Sequence, residues 1–398
     1  MTSLALDSKK VGVTRLEGAL VERLRRPLSL GALKNASVAL DVDGDEGWTL
    51  YLQDGSLRLG RGLDADAETT ISTDQETMVR VLEGNLSGIE AFITGHLRVR
   101  GNLALSLRLS GSFPGLEQPA RFPRAGDVKA KGVNTFFIEA GEGPPVLMLH
   151  GLGATNSSML PSLWDLAKDH RVIAPDLPGF GDSGKPLRSY DAGFYARWVI
   201  ALLDRLEIAK VSIVGNSLGG RVALEAGLFA PDRVERLVLL TPSPAFIRRR
   251  EWVRVVRILR PEMALLPIPI AHRYVVRSIR GMFSRPNRLP DSWYDAAADE
   301  FLRVFSSPRG RISFFSAARQ IYLEEPYGDD GFWDRLGDLS LPALFIWGEK
   351  DRLVPAKFAR HVEKVLPNAT SLVLDDCGHV PQFELPERTN HFIRQFIQ

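Results

Sequence analysis

The sequence predicts an α/β protein: a mostly parallel, doubly wound sheet with an inserted helical cap, preceded by a smaller α+β domain. Three observations carry this expectation. From Gly132 onward, short apolar runs alternate with helix-length segments, the pattern of a parallel sheet covered on both faces. Before about Ser110, apolar and polar residues alternate at strand period between glycine-containing turns. Between the two regions, GSFPGLEQPARFPRAG packs three prolines and three glycines into sixteen residues, which neither helix nor sheet accommodates well. The expected division is therefore a first domain over residues 1–112, a linker over 113–127 and a second domain over 128–398, with the cap at about 242–340.

Bulk properties narrow the function classes. Of the 398 residues, 44% are hydrophobic and 25% charged, ample for buried cores. A net charge of +2 is too small to make nucleic acid the expected partner. The opening MTSLALDSKKVGVTRLEGAL meets charges before any long apolar run, so no secretory leader is expected. No apolar stretch approaches the ~20 residues of a membrane span. The single cysteine, Cys377, cannot form an internal disulfide, which fits a reducing cytoplasm.

Within the first domain, Val38, Leu40 and Val42 share one face, as do Trp48, Leu50 and Leu52, then Leu57 and Leu59. The segments DGDEG and QDGS separate these runs, which read as hairpin-linked strands. Asp74 then opens a helix, with Met78, Val79 and Leu82 apolar and Gly84 at its end. LRVRG returns to strand period at Leu97 and Val99. NLALSLRLS reads two ways: Asn102 suits a helix cap, yet leucines at 103, 105, 107 and 109 keep strand period.

In the second domain, FFIEAG, PVLMLHG, RVIAPDLPG, VSIVGNS, RLVLLTPS, PALFIWGE and SLVLDDCG are the expected strands, each ending in Gly, Pro, Asp or Ser. YARWVIALLDRLE and RVALEAGLFA are crossover helices. Residues 242 to about 340 are too long for a crossover and read as a cap over an active site.

The chemistry begins at VSIVGNSLGG. Val211–Val214 is strand, Gly215 to Gly219 a tight turn, and Arg221 opens a helix, so Ser217 is projected outward where small neighbours relieve crowding. The helix N-terminus behind it favours developing negative charge. A serine hydroxyl is a poor nucleophile until a base takes its proton. His379, in the loop after SLVLDDCG, is the expected base, and Asp351, in EKDRLVP after PALFIWGE, the carboxylate that orients it. Each has a bland alternative, Asp351 as a turn former and His379 as a hydrogen-bonded loop residue. All three nevertheless sit at strand ends in the chain order Ser, Asp, His that accompanies such a turn. Two oxyanion donors are expected: the backbone N–H of Leu218, and that of Leu152 in the HGLG loop, where flanking glycines let the backbone approach substrate. His150 reads as a structural hydrogen-bonder and Asp176 as scaffold. No metal or cofactor is required.

HGLG, DLPGFGDSGKP, VGNSLGG, WGEKDRLVP and CGHVPQFELPE together resemble the α/β-hydrolase superfamily, over about residues 128–398. The resemblance implies that fold and a Ser217–Asp351–His379 triad. A serine nucleophile departs from the dehalogenase and epoxide-hydrolase branches, which use aspartate there. GNS also resembles the branch that cleaves carbon–carbon bonds of ring-fission products, but Val380 stands where that branch often has tryptophan after the histidine. Hydrolysis of an apolar, lipid-like carboxylic ester is therefore expected first and carbon–carbon hydrolysis second. A non-catalytic lipid carrier with a vestigial hydrolase fold is the rival from another class, and the intact triad speaks against it.

The first domain resembles the sterol carrier protein lipid-binding domain over about residues 15–112. VALDVDGDEGWTLYLQDGS and LEGNLSGIEAFITGHLRVRGNLALSLRL carry the likeness, above all the F-x-x-G-x-L-x-V-x-G rhythm from Phe92 to Gly101. It implies a helical NLALSLRL and an apolar tunnel for a lipid ligand; the alternative is that the leucines only fill a small core.

One charge asymmetry remains. Arg248 to Arg288 holds eleven arginines against Glu251 and Glu262, a net +9, interleaved with Trp252, Val253, Val256, Leu259, Leu265, Leu266, Ile268 and Ile270. Such a mixture either rests on an anionic membrane surface or head group, or is an arginine-rich solvated face of the cap.

Overall fold

The computed structural model describes residues 15–25, 35–44, 47–53, 56–111, 123–245, 253–258, 260–267, 269–329 and 331–398. The tips of the two expected hairpins, most of the expected linker, and Arg248–Trp252, Leu259 and Ile268 of the basic stretch lie outside the described residues.

The first domain is a five-stranded sheet with helices packed on it. Its strands are β1 (Asn35–Val42), β2 (Trp48–Gln53), β3 (Ser56–Arg61), β4 (Thr69–Thr73) and β5 (Leu97–Gly101), in the order β3-β2-β1-β4-β5. Only the β1–β4 pair is parallel. β4, TTIST, has little apolar alternation and was not expected from the sequence. Thr69 and Thr73 are nevertheless buried, because their hydroxyls donate to the carbonyls of Asn102 and His96, both at 2.7 Å, just beyond the two ends of β5. Satisfied hydroxyls remove the cost of burying them.

The helix Gln75–Leu82 forms where the sequence places it. The Asp74 carboxylate accepts from the Thr77 N–H at 2.8 Å. At its far end Gly84 adopts φ 79°, and the N–H groups of Gly84 and Asn85 return to the carbonyls of Val81 and Arg80. The ambiguous segment is also helical, Leu103–Gly111, with Asn102 Oδ1 accepting from the Leu105 N–H at 3.1 Å. Leu103, Ala104, Leu105, Leu107 and Leu109 are all buried. A helix enclosed on all sides accepts leucine at any phase, so the strand-period signal meant nothing here.

The second domain is built on eight strands: β6 (Arg124–Ala130), β7 (Val133–Ala140), β8 (Pro145–Leu149), β9 (Arg171–Pro175), β10 (Val211–Asn216), β11 (Val234–Leu240), β12 (Ala343–Gly348) and β13 (Thr370–Leu374). Their order is β13-β12-β11-β10-β8-β9-β7-β6. β8 to β13 pair in parallel, while β6 and β7 form an antiparallel edge against β9. β8 lies between β9 and β10, so the winding reverses there, and ligands bind at the carboxyl ends of strands beside such a reversal.

One boundary needs correction. β6 begins at Arg124, inside the stretch assigned to the linker. Gly126 sits in that strand because the Phe137 ring lies over it: an added Cβ would come within 2.4 Å of Cζ. A glycine that reads as a chain breaker is here a packing necessity.

The cap occupies the interval between β11 and β12. Its helix Asp291–Phe305 lies along β5 of the first domain. Asp299 accepts from Arg100 Nε at 2.7 Å and from the Gly101 N–H at 3.0 Å. The Trp293 indole N–H donates to the Phe92 carbonyl at 2.9 Å, and the two rings stack at 6.0 Å. Arg108 forms a two-pronged pair with Asp127 of β6, at 2.6 and 3.0 Å. The first domain is thus docked directly on the cap. The same cap helix contributes Phe301, Val304 and Phe305 to an apolar cleft beside Gly153.

Candidate active site

β10 delivers Ser217 to its turn with φ 51° and ψ −113°, a conformation a non-glycine residue adopts only when its surroundings impose it. They do so by crowding. A Cβ on Gly215 would come within 2.4 Å of the Gly219 carbonyl oxygen, and one on Gly219 within 2.1 Å of the Leu149 carbonyl oxygen. Strand end, helix start and the end of β8 meet with no room for side chains. From Val211 to Gly227 every residue is buried except Ser217, which reaches partly into solvent.

Asp351 and His379 come together as expected. His379 Nδ1 is 2.7 Å from Asp351 Oδ2, and both side chains are buried. The other carboxylate oxygen, Oδ1, accepts from the N–H groups of Leu353 and Val354 at 2.8 and 2.9 Å. Those donors fix the carboxylate orientation. The Ser217 hydroxyl makes no hydrogen bond to His379 among the described residues.

The serine turn and the histidine loop are instead joined through Asn216. Its amide donates to the carbonyls of His379 (3.2 Å) and Leu240 (3.1 Å) and to the Thr241 hydroxyl (3.1 Å). The Thr241 hydroxyl donates to the same His379 carbonyl at 2.8 Å. Glu384 supports the loop from the other side, accepting from the N–H groups of Gly378 (2.6 Å) and Arg285 (2.8 Å). Finally, the His379 N–H donates to the cap carbonyl of Met282 at 2.7 Å. The sequence reading missed Asn216, Thr241 and Glu384 as the residues that join these loops. Asn216 alone left a trace, in the GNS motif, and its partner lies 163 residues away.

The HGLG loop follows β8 and passes beside Ser217: an added Cβ on Gly151 would lie 3.4 Å from the serine Cβ. Leu152 is half-buried and Leu218 buried; neither N–H donates to a protein acceptor among the described residues. At Leu218 this follows from its place in the first helical turn, where N–H groups have no intrahelical partner. Gly153, at φ 72°, faces the rings of Phe301 and Phe314. With Ala154, Phe180 and Phe305 they line a narrow cleft of about 10 Å³.

His150 is buried, with Nδ1 2.8 Å from the Gly151 carbonyl and Nε2 accepting from the Leu177 N–H at 2.9 Å. Both ring nitrogens are occupied by the scaffold, and burial pushes its pKa down to about 4. Asp176 is also buried, accepting from the N–H groups of Asn156 and Asp182, both at 2.8 Å. Burial pushes its carboxyl up to about 7, although those two N–H groups favour the ionised form.

The two groups give opposite pH dependences. As pH falls from 6.5 toward about 4, the unfolded chain takes up a proton that folded His150 refuses, so stability declines by up to ~3 kcal/mol on its account. For Asp176 the folded state holds the proton up to about pH 7 while the unfolded chain releases it near 3.8, so its contribution weakens as pH rises from about 4 toward 7. Nitrogen-15 NMR of the histidine side chains should therefore find one imidazole still neutral, protonated at Nδ1, at pH 5. Protonation of His150 with a midpoint above 6 would contradict this assignment.

No cluster of ligating side chains suited to a metal occurs among the described residues. A largely parallel sheet whose carboxyl edge carries the serine turn, the glycine-rich loop and an Asp–His pair has the architecture of an α/β hydrolase. The chain belongs to that family: the model of the alpha/beta hydrolase fold matches residues 144–386, and that of the SCP-2 sterol transfer family matches residues 21–114. Both resemblances carried by the sequence motifs hold. Among similar proteins, 2-hydroxymuconate semialdehyde hydrolase of Pseudomonas sp. (strain CF600) is 28% identical, covering 71% of this chain and 97% of its own. Pimeloyl-[acyl-carrier protein] methyl ester esterase of Aeromonas salmonicida is 28% identical over 65% of this chain and 96% of its own. A solved bacterial membrane phospholipase A superposes with a TM-score of 0.58 at 25% identity, covering 69% of this chain and 86% of that one.

Proposed function

We propose that the chain is a serine hydrolase that cleaves apolar, lipid-like carboxylic esters through an acyl-enzyme, with the first domain holding a lipid ligand. The observation that carries this reading is the 2.7 Å His379–Asp351 contact, on a loop tied by Asn216 to the serine turn. Ser217 Oγ attacks the ester carbonyl as His379 Nε2 takes its proton. The N–H groups of Leu218 and Leu152 hold the oxyanion, and the imidazolium, steadied by Asp351, protonates the departing alkoxide. Water, deprotonated by the same imidazole, then releases the acid and restores Ser217. The expected alcohol and acid account for every atom, without a cofactor.

Apolar substrates are supported by the phenylalanine-lined cleft beside Gly153 and by the first domain's own cavity. The latter, about 60 Å³, is lined by aliphatic side chains and Phe92. The one hydroxyl among its lining groups, Ser106 Oγ, is buried with no hydrogen-bond partner among the described residues and offers a donor to a ligand oxygen. Phe92 also stacks on Trp293, whose ring meets at 4.8 Å that of Phe383, four residues after His379. The single, buried Cys377 suits a reducing compartment such as the cytoplasm.

The test is a panel of acyl esters graded by chain length with a ring-fission product alongside. Turnover is expected for esters, with KM falling as the acyl chain lengthens. Cleavage of the ring-fission product alone would transfer the reading to carbon–carbon hydrolysis. No turnover of either would return it to a lipid carrier.

A further inference from the structure

The cap carries a surface unlike the rest of the molecule. In the strip from helix Val253–Ile258 through the turn Pro261–Leu265, Ile258 is 79% exposed, Met263 66% and Leu266 75%, with Val255 and Leu265 also turned outward. This is not loose chain. The Arg311 guanidinium, buried in helix Pro308–Leu323, donates to the carbonyls of Ala264 (2.9 Å) and Leu265 (2.8 Å). From the same helix Arg319 donates to the carbonyls of Val256 (3.0 Å) and Arg257 (2.8 Å). Two arginines thus fasten the strip's backbone to the helix while its aliphatic side chains face solvent, where each exposed aliphatic group is unfavourable in water.

Along the strip itself the charges are mostly positive. Some cap arginines serve the fold: Arg257 pairs with Glu325, Arg280 with Asp291, and Arg285 and Arg288 with Asp376. Arg254, Arg260 and Arg277 are exposed and make no ion pair among the described residues, and Arg273 is exposed against the Tyr274 ring. Between Val253 and Arg280 the only acid is Glu262. Guanidinium groups without an ion pair among the described residues, interspersed along the chain with outward aliphatics, match a surface that is negatively charged outside and apolar beneath.

We infer that this face of the cap docks on an anionic lipid bilayer. Arginines at the head-group level add electrostatic attraction while Ile258, Met263 and Leu266 enter the acyl boundary. Its place also makes sense of the cap. The helix to which the strip is fastened also supplies Phe314 to the cleft beside Gly153. Docking is independent of the proposed ester chemistry and is read without substrate.

The experiment is co-sedimentation of the full chain with vesicles of phosphatidylcholine alone or with added phosphatidylglycerol. Anionic vesicles are expected to bind at least tenfold more tightly, with affinity falling steeply as salt is raised. Substituting I258E together with L266E should reduce binding tenfold or more, and R254A with R277A should remove most of the preference for anionic lipid. Circular dichroism and turnover of a short, water-soluble ester should be unchanged in both variants. Equal binding to the two vesicle types, or full binding by the I258E/L266E protein, would overturn the proposal. So would self-association of the native chain that these substitutions abolish, which would make the face a protein interface.

Discussion

Replacing Ser217 by alanine is expected to lower turnover of an apolar ester by about four powers of ten while the fold stays intact. The substitution removes one oxygen and keeps the Cβ, so the crowded turn between Gly215 and Gly219 is undisturbed. The serine hydroxyl makes no hydrogen bond among the described residues, so folding loses no polar contact with it. The thermal midpoint should move by no more than a degree or two, the response of a site away from packing and hydrogen bonds. What disappears is the only partly exposed group along Val211–Gly227, at a place where the first turn of a helix leaves N–H groups without partners. Steady-state kinetics and thermal denaturation, run side by side, check both halves. An active alanine variant would mean that the nucleophile lies elsewhere.

Asp351→Asn should cost nearly as much, about three to four powers of ten in kcat, again with the fold retained. The reason lies in the two backbone donors. The N–H groups of Leu353 and Val354 require an acceptor at the Oδ1 position, so an asparagine there must place its carbonyl toward them. Its amide N–H₂ then faces His379 Nδ1, which has to accept. The imidazole proton is forced onto Nε2, the atom that must take the proton from Ser217. Turning the amide around would restore the tautomer only by setting N–H against N–H. Kinetics on the purified variant, with nitrogen-15 NMR to read the tautomer, test the argument directly. Unchanged turnover, or a tautomer still protonated at Nδ1, would contradict it.

Much of this arrangement is legible in the sequence itself. The large sheet could be read because its central strands are buried on both faces, which leaves unbroken apolar runs such as Val146–Leu149. The serine turn could be read because steric crowding selects glycine around it. What escaped was set by distant contacts. β4 hides in TTIST because two threonines are paid for by carbonyls next to β5. Asn102 outweighed the leucine alternation, since an enclosed helix puts no demand on phase. Gly126 belongs to a strand because the ring of Phe137, its paired residue on β7, lies over it. The ties that hold the site together, from Asn216 and Thr241 to the His379 carbonyl and from Glu384 to Gly378 and Arg285, join polar residues that look ordinary one at a time. The docking of the first domain rests likewise on Arg100, which fills an unspecified position of the Phe92–Gly101 rhythm, and on Asp299 and Trp293, which stand in no motif.

The claim on which the rest depends is that Ser217 is an activated nucleophile. Intact-protein and peptide mass spectrometry after exposure to a fluorophosphonate measures this without knowledge of the natural substrate. One adduct per chain is expected, on the peptide carrying Ser217, with labelling slowed at least a hundredfold when His379 is replaced by alanine. An unlabelled protein, a label on another residue, or equal labelling without His379 would contradict the account.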